Sequence, residues 1–268
     1  MQQIAILGCG WLGQPLALAL QNAGYGVKVS RRDPNALAEL RQQGLHAYAL
    51  DITEVGIEGQ WQGFCEQVTS MIVMLPPRSK SQHPDRYRLQ IDSLCHGLRE
   101  SHVQRLIFIS STGVYQKHNT PLTETSPLVL ESALVYAEQV IQSVRPTCTL
   151  RFSGLVGPAR IPGRFLAGKQ LDAGLTPVNL IHQQDCIGVI LAVLAQQTEP
   201  KTYNVSSATQ ATRQDFYTLA ARQADLPAPQ FSTDNSLPLC RVNSDKLMAD
   251  LNYQFTYPDI TKWLTHDS

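Results

Sequence analysis

Short apolar runs alternate along the first half of the chain with longer segments whose apolar residues recur every three to four positions. Ile4-Ala5-Ile6-Leu7, Gly26 to Ser30, His46 to Leu50, Val68 to Leu75, Arg105 to Ser110 and Cys148 to Phe152 have the length and β-branched content of buried strands. Between them, Gln14 to Leu20, Pro34 to Gln43, Tyr87 to Ser101 and Leu130 to Val144 carry helical periodicity. Asp33 suits an N-cap, Pro34 the first helical position and Gly44 the stop. Strands alternating with helices at this interval predict an α/β fold, a doubly wound parallel sheet with right-handed crossovers. Ligands of such sheets bind beyond the carboxyl ends of the strands. The segments to inspect are therefore Gly8 to Gly13, Ser30 to Arg32, Asp51-Ile52, Leu75 to Arg78, Ser110 to Tyr115 and Phe152 to Pro158.

Beyond Gly157 the pattern weakens. Pro158 to Leu180 is rich in Gly, Pro and basic residues, helices are predicted over Asp185 to Gln196 and Arg213 to Ala224, and the prolines between Ala224 and Leu239 predict a loop. The expected organisation is a nucleotide-binding domain over 1–157 and a smaller substrate-binding lobe over 158–268, interleaved with it.

Gly8-Cys9-Gly10-Trp11-Leu12-Gly13 sits between the first strand and first helix, the context a Rossmann-type dinucleotide site requires. Gly8 permits the tight turn, Gly10 lets backbone approach a pyrophosphate, and Gly13 lets helix pack on strand. The amides opening the helix then face the phosphate charge. Arg31 and Arg32 stand where NAD-specific proteins carry a carboxylate for the ribose hydroxyls. Two cations there predict a 2′-phosphate, and so NADP ahead of NAD, with Ser30 adding a hydrogen bond. Leu75 and Pro76 complete the expected cofactor-binding set, and Arg78 could reach a phosphate.

Composition narrows the class. Lys plus Arg and Asp plus Glu both number 22 in 268 residues, so bulk charge suggests neither a nucleic-acid nor a membrane partner. No segment approaches the ~20 apolar residues of a membrane span. With the first strand opening at residue 4 and no leader expected, the protein is expected in the cytoplasm. Cys9, Cys65, Cys95, Cys148, Cys186 and Cys240 lack metal-ligand spacing and read as reduced thiols, Cys9 as a small filler beside the cofactor. The seven histidines show no paired pattern, and no metal site is expected.

In this order the motifs resemble the extended short-chain dehydrogenase/reductases, the NAD(P)-dependent epimerase/dehydratase superfamily. Asp51-Ile52 resembles the family's adenine-contacting acid segment, and Ser110-Ser111-Thr112-Gly113-Val114-Tyr115 its fifth-strand segment, with Gln116 replacing the final Gly. Arg151 to Pro158 resembles its Gly-Pro turn, Leu180 to Cys186 its "IHVDD" segment, and Tyr203-Asn204-Val205 its "YNV" strand. The resemblance implies that Ser111 orients substrate and that Tyr115 lines the pocket.

The family's Tyr-x-x-x-Lys acid/base pair is not found. Aligning Ala137-Glu138-Gln139 on the family's "AEQ" puts Leu130 and Leu134 at its positions, and aligning on Tyr136 puts Val140 at the Lys. The branch is atypical, with GCGWLG as its distinguishing loop. Tyr115 is then the first substitute proton donor, with Lys117 and His118 close in sequence. Arg160, Arg164 and Lys169 could hold an anionic substrate. The leading expectation is an NADP-dependent oxidoreductase or epimerase-like enzyme, monomeric or homodimeric, acting on a small polar, sugar-like or phosphorylated substrate. The alternative is a non-catalytic NADP-binding redox sensor or regulatory protein.

Overall fold

The computed structural model describes residues 1–77, 85–196, 199–232 and 237–266; Arg78 lies outside them. Eight strands form one sheet in the spatial order β11-β7-β6-β5-β1-β2-β3-β4. They are β1 (Gln3–Leu7), β2 (Gly26–Arg31), β3 (His46–Ile52), β4 (Ile57–Gly59), β5 (Val68–Val73), β6 (Arg105–Ser111), β7 (Thr147–Phe152) and β11 (Thr202–Val205). β1 pairs in parallel with both β2 and β5, β2 with β3, and β5 with β6. The order reverses at β1, which places a switch point where the glycine loop leaves that strand. From β1 to β7, the six predicted strands are all present.

The chain separates into two compact units. The first comprises Met1–Val114, Val129–Leu150 and Val193–Thr202; the second comprises Tyr115–Leu128, Arg151–Ala192 and Tyr203–Ser268. A single cut after Gly157 therefore does not describe the chain. Segments 115–128 and 151–157 fall in the second unit, and 193–202 in the first.

In the first unit, α1 (Gly13–Asn22), α2 (Pro34–Gln42), α4 (Arg86–Arg99) and α5 (Ala133–Val144) follow their strands as the periodicity predicts. Asp33 caps α2 by accepting from the Asn35 amide, with Pro34 at the first position. β5 ends two residues before Leu75: the Met74 amide still bonds the Leu7 carbonyl, at 2.9 Å, but Pro76 and Pro77 have no N–H to continue. α5 starts at Ala133 rather than Leu130, because Ser132 caps it by accepting from the Leu134 amide. The core of this unit gathers Met71, Phe64, Ile91, Leu94, Phe108 and Ile141, all fully buried.

Short elements escape periodicity. The edge strand β4, antiparallel to β3, and α3 (Trp61–Cys65) span too few residues to repeat a pattern. In the second unit the same holds for β8 (Gly154–Val156) with β10 (Leu180–His182), and for β9 (Gln170–Leu171) with β12 (Gln230–Phe231). β12 lies in the stretch expected to be loop. α6 (Gly163–Leu166), α8 (Arg213–Gln223), α9 (Asp245–Leu251) and α10 (Ile260–His266) complete the unit, and α7 (Gln183–Gln196) runs from it into the first. Its core gathers Val156, Val178, Leu180, Phe216, Ile260, Trp263 and Leu264.

One buried carboxylate organises the second unit. Asp185, in the first turn of α7, accepts from the Thr256 amide at 2.6 Å, the Tyr257 amide at 2.9 Å and the Tyr253 hydroxyl at 3.2 Å. Gly188 one turn on makes room: a Cβ there would strike the Tyr253 hydroxyl oxygen. Asp185→Ala leaves two backbone amides without acceptors, so denaturant unfolding should show a loss of about 2 to 4 kcal/mol. An unchanged midpoint would deny Asp185 this role.

Candidate functional site

The glycine loop is tightly determined at two of its three glycines. Gly8 has φ +95°, and a Cβ on it would collide with the Met74 carbonyl at the end of β5. At Gly13 a Cβ would meet Met74 Cε at 3.1 Å and the Gly8 carbonyl at 3.2 Å. Gly10 differs. Among the described residues a Cβ there meets one atom within 4 Å, Arg31 Nη1 at 3.4 Å. Protein packing therefore demands glycine at Gly8, leaves little room for a side chain at Gly13, and leaves an open approach over Gly10.

That opening faces the start of α1. Leu12 is the N-cap and provides no capping side chain, and the first turn holds no acidic residue. At the start of α1 the Gln14 amide donates to the Gly10 carbonyl at 3.0 Å and Pro15 has no N–H, so the donors the helix start offers an anion are the Leu12 and Gly13 amides. The space a Cβ would fill at Gly10, beside those amides and a guanidinium, fits the diphosphate of a dinucleotide. Trp11 is half-buried and Leu12 buried.

Ser30 joins the loop to β2. It is 2% exposed, its hydroxyl accepts from the Gly8 amide at 3.1 Å, and its carbonyl accepts from the Cys9 amide at 2.9 Å. By accepting from Gly8 the Ser30 hydroxyl helps to hold the turn. Burial pushes the Cys9 thiol up to about 12, against a smaller downward pull from Arg31. That keeps Cys9 protonated and supports the filler role.

Arg31 and Arg32 diverge in their partners. Arg32 Nη1 lies 3.6 Å from Asp51 Oδ1, both side chains being partly exposed. Arg31 forms no ion pair among the described residues, and its guanidinium lies at Gly10. Ile52 is buried in the core, and its carbonyl accepts from Gln90 Nε2 at 2.7 Å. At the end of β5, the Leu75 carbonyl accepts from the Tyr87 hydroxyl at 2.7 Å and Pro76 is exposed.

At the end of β6 two serines point to different partners. Ser110 is buried and donates to Glu138 Oε1 on α5 at 2.6 Å. Ser111 accepts from the Gly113 amide at 3.1 Å, which leaves its own O–H proton unassigned. Tyr136 donates to Asp92 at 2.6 Å and lies under the Arg88 guanidinium. That bond, more than burial, raises its phenol above the usual value. Leu130 is 70% exposed, and Leu134 packs against the core of the first unit.

Tyr115 belongs to the second unit and is buried in a polar cluster there. Its hydroxyl donates to Asn204 Oδ1 at 2.6 Å and accepts from Arg151 Nη1 at 2.7 Å, with the guanidinium 4.9 Å from the ring centroid. The Asn204 amide donates to Glu124 Oε1 at 2.8 Å, and Asn204 Nδ2 to the Leu122 and Asn243 carbonyls. Burial, opposed by Arg151, raises the phenol. A phenol has one proton to donate, and here Asn204 takes it. Motif spacing along the sequence does not disclose this cluster. The available signal was Arg151 inside a wholly buried strand, which demands polar partners.

Lys117 is exposed, whereas the His118 backbone exchanges hydrogen bonds with the Cys240 thiol. Among the described residues no cluster of His, Cys, Asp or Glu could hold a metal ion, and no helix is long and apolar enough to cross a membrane.

Known proteins share this architecture. YeeZ of Escherichia coli K12 is 31% identical over 269 residues, covering 97% of each chain. A functionally unknown conserved protein from Silicibacter pomeroyi superposes with a TM-score of 0.78 at 23% identity, over 100% of this chain and 99% of that one. The UDP-glucuronic acid 4-epimerase of Bacillus cereus, solved with UDP-glucuronic acid and NAD, gives 0.79 at 16% identity, over 98% and 97%. The model of the NAD-dependent epimerase/dehydratase family matches residues 4–206. With a nucleotide-type sheet, the open turn at Gly10 and that match, the chain belongs to the NAD-dependent epimerase/dehydratase family.

Proposed function

We propose that the protein is an NADP-preferring oxidoreductase or epimerase-like enzyme acting on a small polar substrate, sugar-like or phosphorylated. The observation that carries this reading is the open approach over Gly10, with the Leu12 and Gly13 amides and the Arg31 guanidinium beside it. The Leu12 and Gly13 amides would hold the diphosphate, and Arg31 would pair with a 2′-phosphate. When bound, the nicotinamide supplies hydride transfer at C4 of its ring.

Ser111 is the group placed to orient a reacting oxygen. Its lone pair takes the Gly113 amide, so its O–H is directed by whatever acceptor the substrate offers. Tyr115 has its proton on Asn204, which supports a framework role in place of proton donation. The sensor reading rests on Leu130 and Leu134 standing where the family's pair would be. It predicts cofactor binding without turnover.

Three outcomes follow from these assignments. Gly10→Val places a branched side chain in the open approach, so calorimetric titration should show cofactor affinity falling at least about tenfold, near 1.4 kcal/mol, with the unfolding midpoint little changed. Retained affinity would refute the loop assignment. The parent should bind NADP about ten- to a hundredfold tighter than NAD, from charge-assisted bonds to the 2′-phosphate; equal binding removes the preference. Against a panel of carbonyl compounds and sugar phosphates, NADPH oxidation should fall about 10²-fold in Ser111→Ala, while Tyr115→Phe should keep its rate and lose about 1 to 3 kcal/mol of stability. No turnover with any member of the panel would favour the sensor.

A further inference from the structure

Buried polar side chains on α4 and α5 hold the carboxyl ends of strands in the first unit. Gln90 Nε2 donates to the carbonyl of Ile52, which ends β3, and the Tyr87 hydroxyl to the Leu75 carbonyl just beyond β5, each at 2.7 Å. Glu138 does the same for β6 through a side chain. Ser110 Oγ donates to its carboxylate at 2.6 Å, with Ser110 5% and Glu138 3% exposed. Next to burial itself, the Glu138 charge pushes the Tyr87 phenol up, so the carboxylate is felt on α4 as well.

Apolar packing does not need this pair. Ala137 and Ile141 of α5 already join Leu106 and Phe108 of β6 in one core. Burying a carboxylate among them carries a desolvation cost that an apolar residue would avoid. What a charged acceptor adds is a short bond of fixed direction. That direction matters at the next residue. Side chains alternate along a strand, so with Ser110 turned toward α5, Ser111 leaves β6 on the other face. There its Oγ accepts from the Gly113 amide at 3.1 Å, and a Cβ on Gly113 would stand 3.4 Å from that oxygen. The Ser111 hydroxyl is thus set from two sides, by the turn after it and by the anchored residue before it.

We infer that Glu138 is a positioning residue: by holding Ser110 against α5, it fixes the strand end from which Ser111 presents its hydroxyl to substrate. This rests on the reading of Ser111 as the group that orients the reacting oxygen, and adds what keeps that group aligned. Displacing such a group by about 1 Å can lower a rate about 10²-fold.

The test pairs turnover with a readout that needs none. In the full chain, Glu138→Leu combined with Ser110→Ala removes acceptor and donor together, so neither of the pair is stranded by loss of the other. With the panel member that oxidises NADPH fastest, kcat should fall about tenfold or more and KM stay within about twofold. Glu138→Gln keeps an acceptor for Ser110 and should remain within about threefold of the parent. Added to Ser111→Ala, the paired change should cost less than about twofold further, because the hydroxyl it positions is gone. The Gly113 amide is exposed, so its protection from hydrogen exchange rests on the Ser111 bond. Followed by NMR, that exchange should quicken about tenfold in the paired variant, while the buried Ala5 amide of β1 exchanges as in the parent. Ser110→Ala alone should give the same two changes and replaces the paired variant if that one does not fold. Losses that multiply in full with Ser111→Ala, or an unchanged Gly113 amide, overturn the positioning role. A parent without turnover on the whole panel overturns the enzyme reading and leaves the Gly113 amide to decide the positioning by itself.

Discussion

Backbone meets backbone at Gly8, and the head of the first helix depends on that contact. β1 ends there in a conformation L side chains rarely adopt, against the Met74 carbonyl of β5, and the Gly8 amide is held by Ser30 of β2. Three neighbouring strands are thus fixed to each other at their carboxyl ends by contacts that tolerate no extra atom. Each hydrogen bond contributes only about 1 kcal/mol, but the steric constraint is absolute in kind: no rotamer relieves it. The Leu12 and Gly13 amides inherit their position from this turn. A ligand meeting them encounters donors already in place, and little ordering remains to oppose binding.

The second unit is held by a different principle. Its interior contains charge, and every charge has several partners. Arg151 stacks on Tyr115 while donating to its hydroxyl, and Asn204 uses both ends of its amide. Asp185 gathers three donors from a segment that carries little regular structure. Apolar packing alone does not select one course for a proline-rich chain. Directed bonds to buried acceptors do, at the cost that losing a single partner strands the rest.

Much of the first unit was legible from periodicity because its central strands β1, β5 and β6 are largely buried and α1, α2, α4 and α5 run for two or more turns. The strand-turn-helix order located the glycine loop, and Asp33-Pro34 located the start of α2 to the residue. Boundaries failed where a local bond competes with pattern: Ser132 delays α5 and leaves Leu130 outside it, and the prolines after Leu75 end β5 early. In the second unit, pairs such as β9 with β12 join residues some sixty positions apart with two residues each, and no window along the sequence can contain both. Ser30 shows a subtler limit. Its place beside the expected ribose site was readable, but its orientation toward Gly8 was not, because a serine serves a ligand and a backbone amide equally well.

Cys9 carries a consequence for how this protein could respond to oxidants. A thiol with a pKa near 12 has only about one part in 10⁵ as thiolate at neutral pH, and peroxides react with the thiolate. The side chain is also 2% exposed. The loop is therefore chemically quiet at its one sulfur atom, and sulfenylation or mixed-disulfide formation cannot serve as its signal. Coupling of this loop to redox state would therefore run through which oxidation state of a dinucleotide meets the turn, and not through the Cys9 thiol.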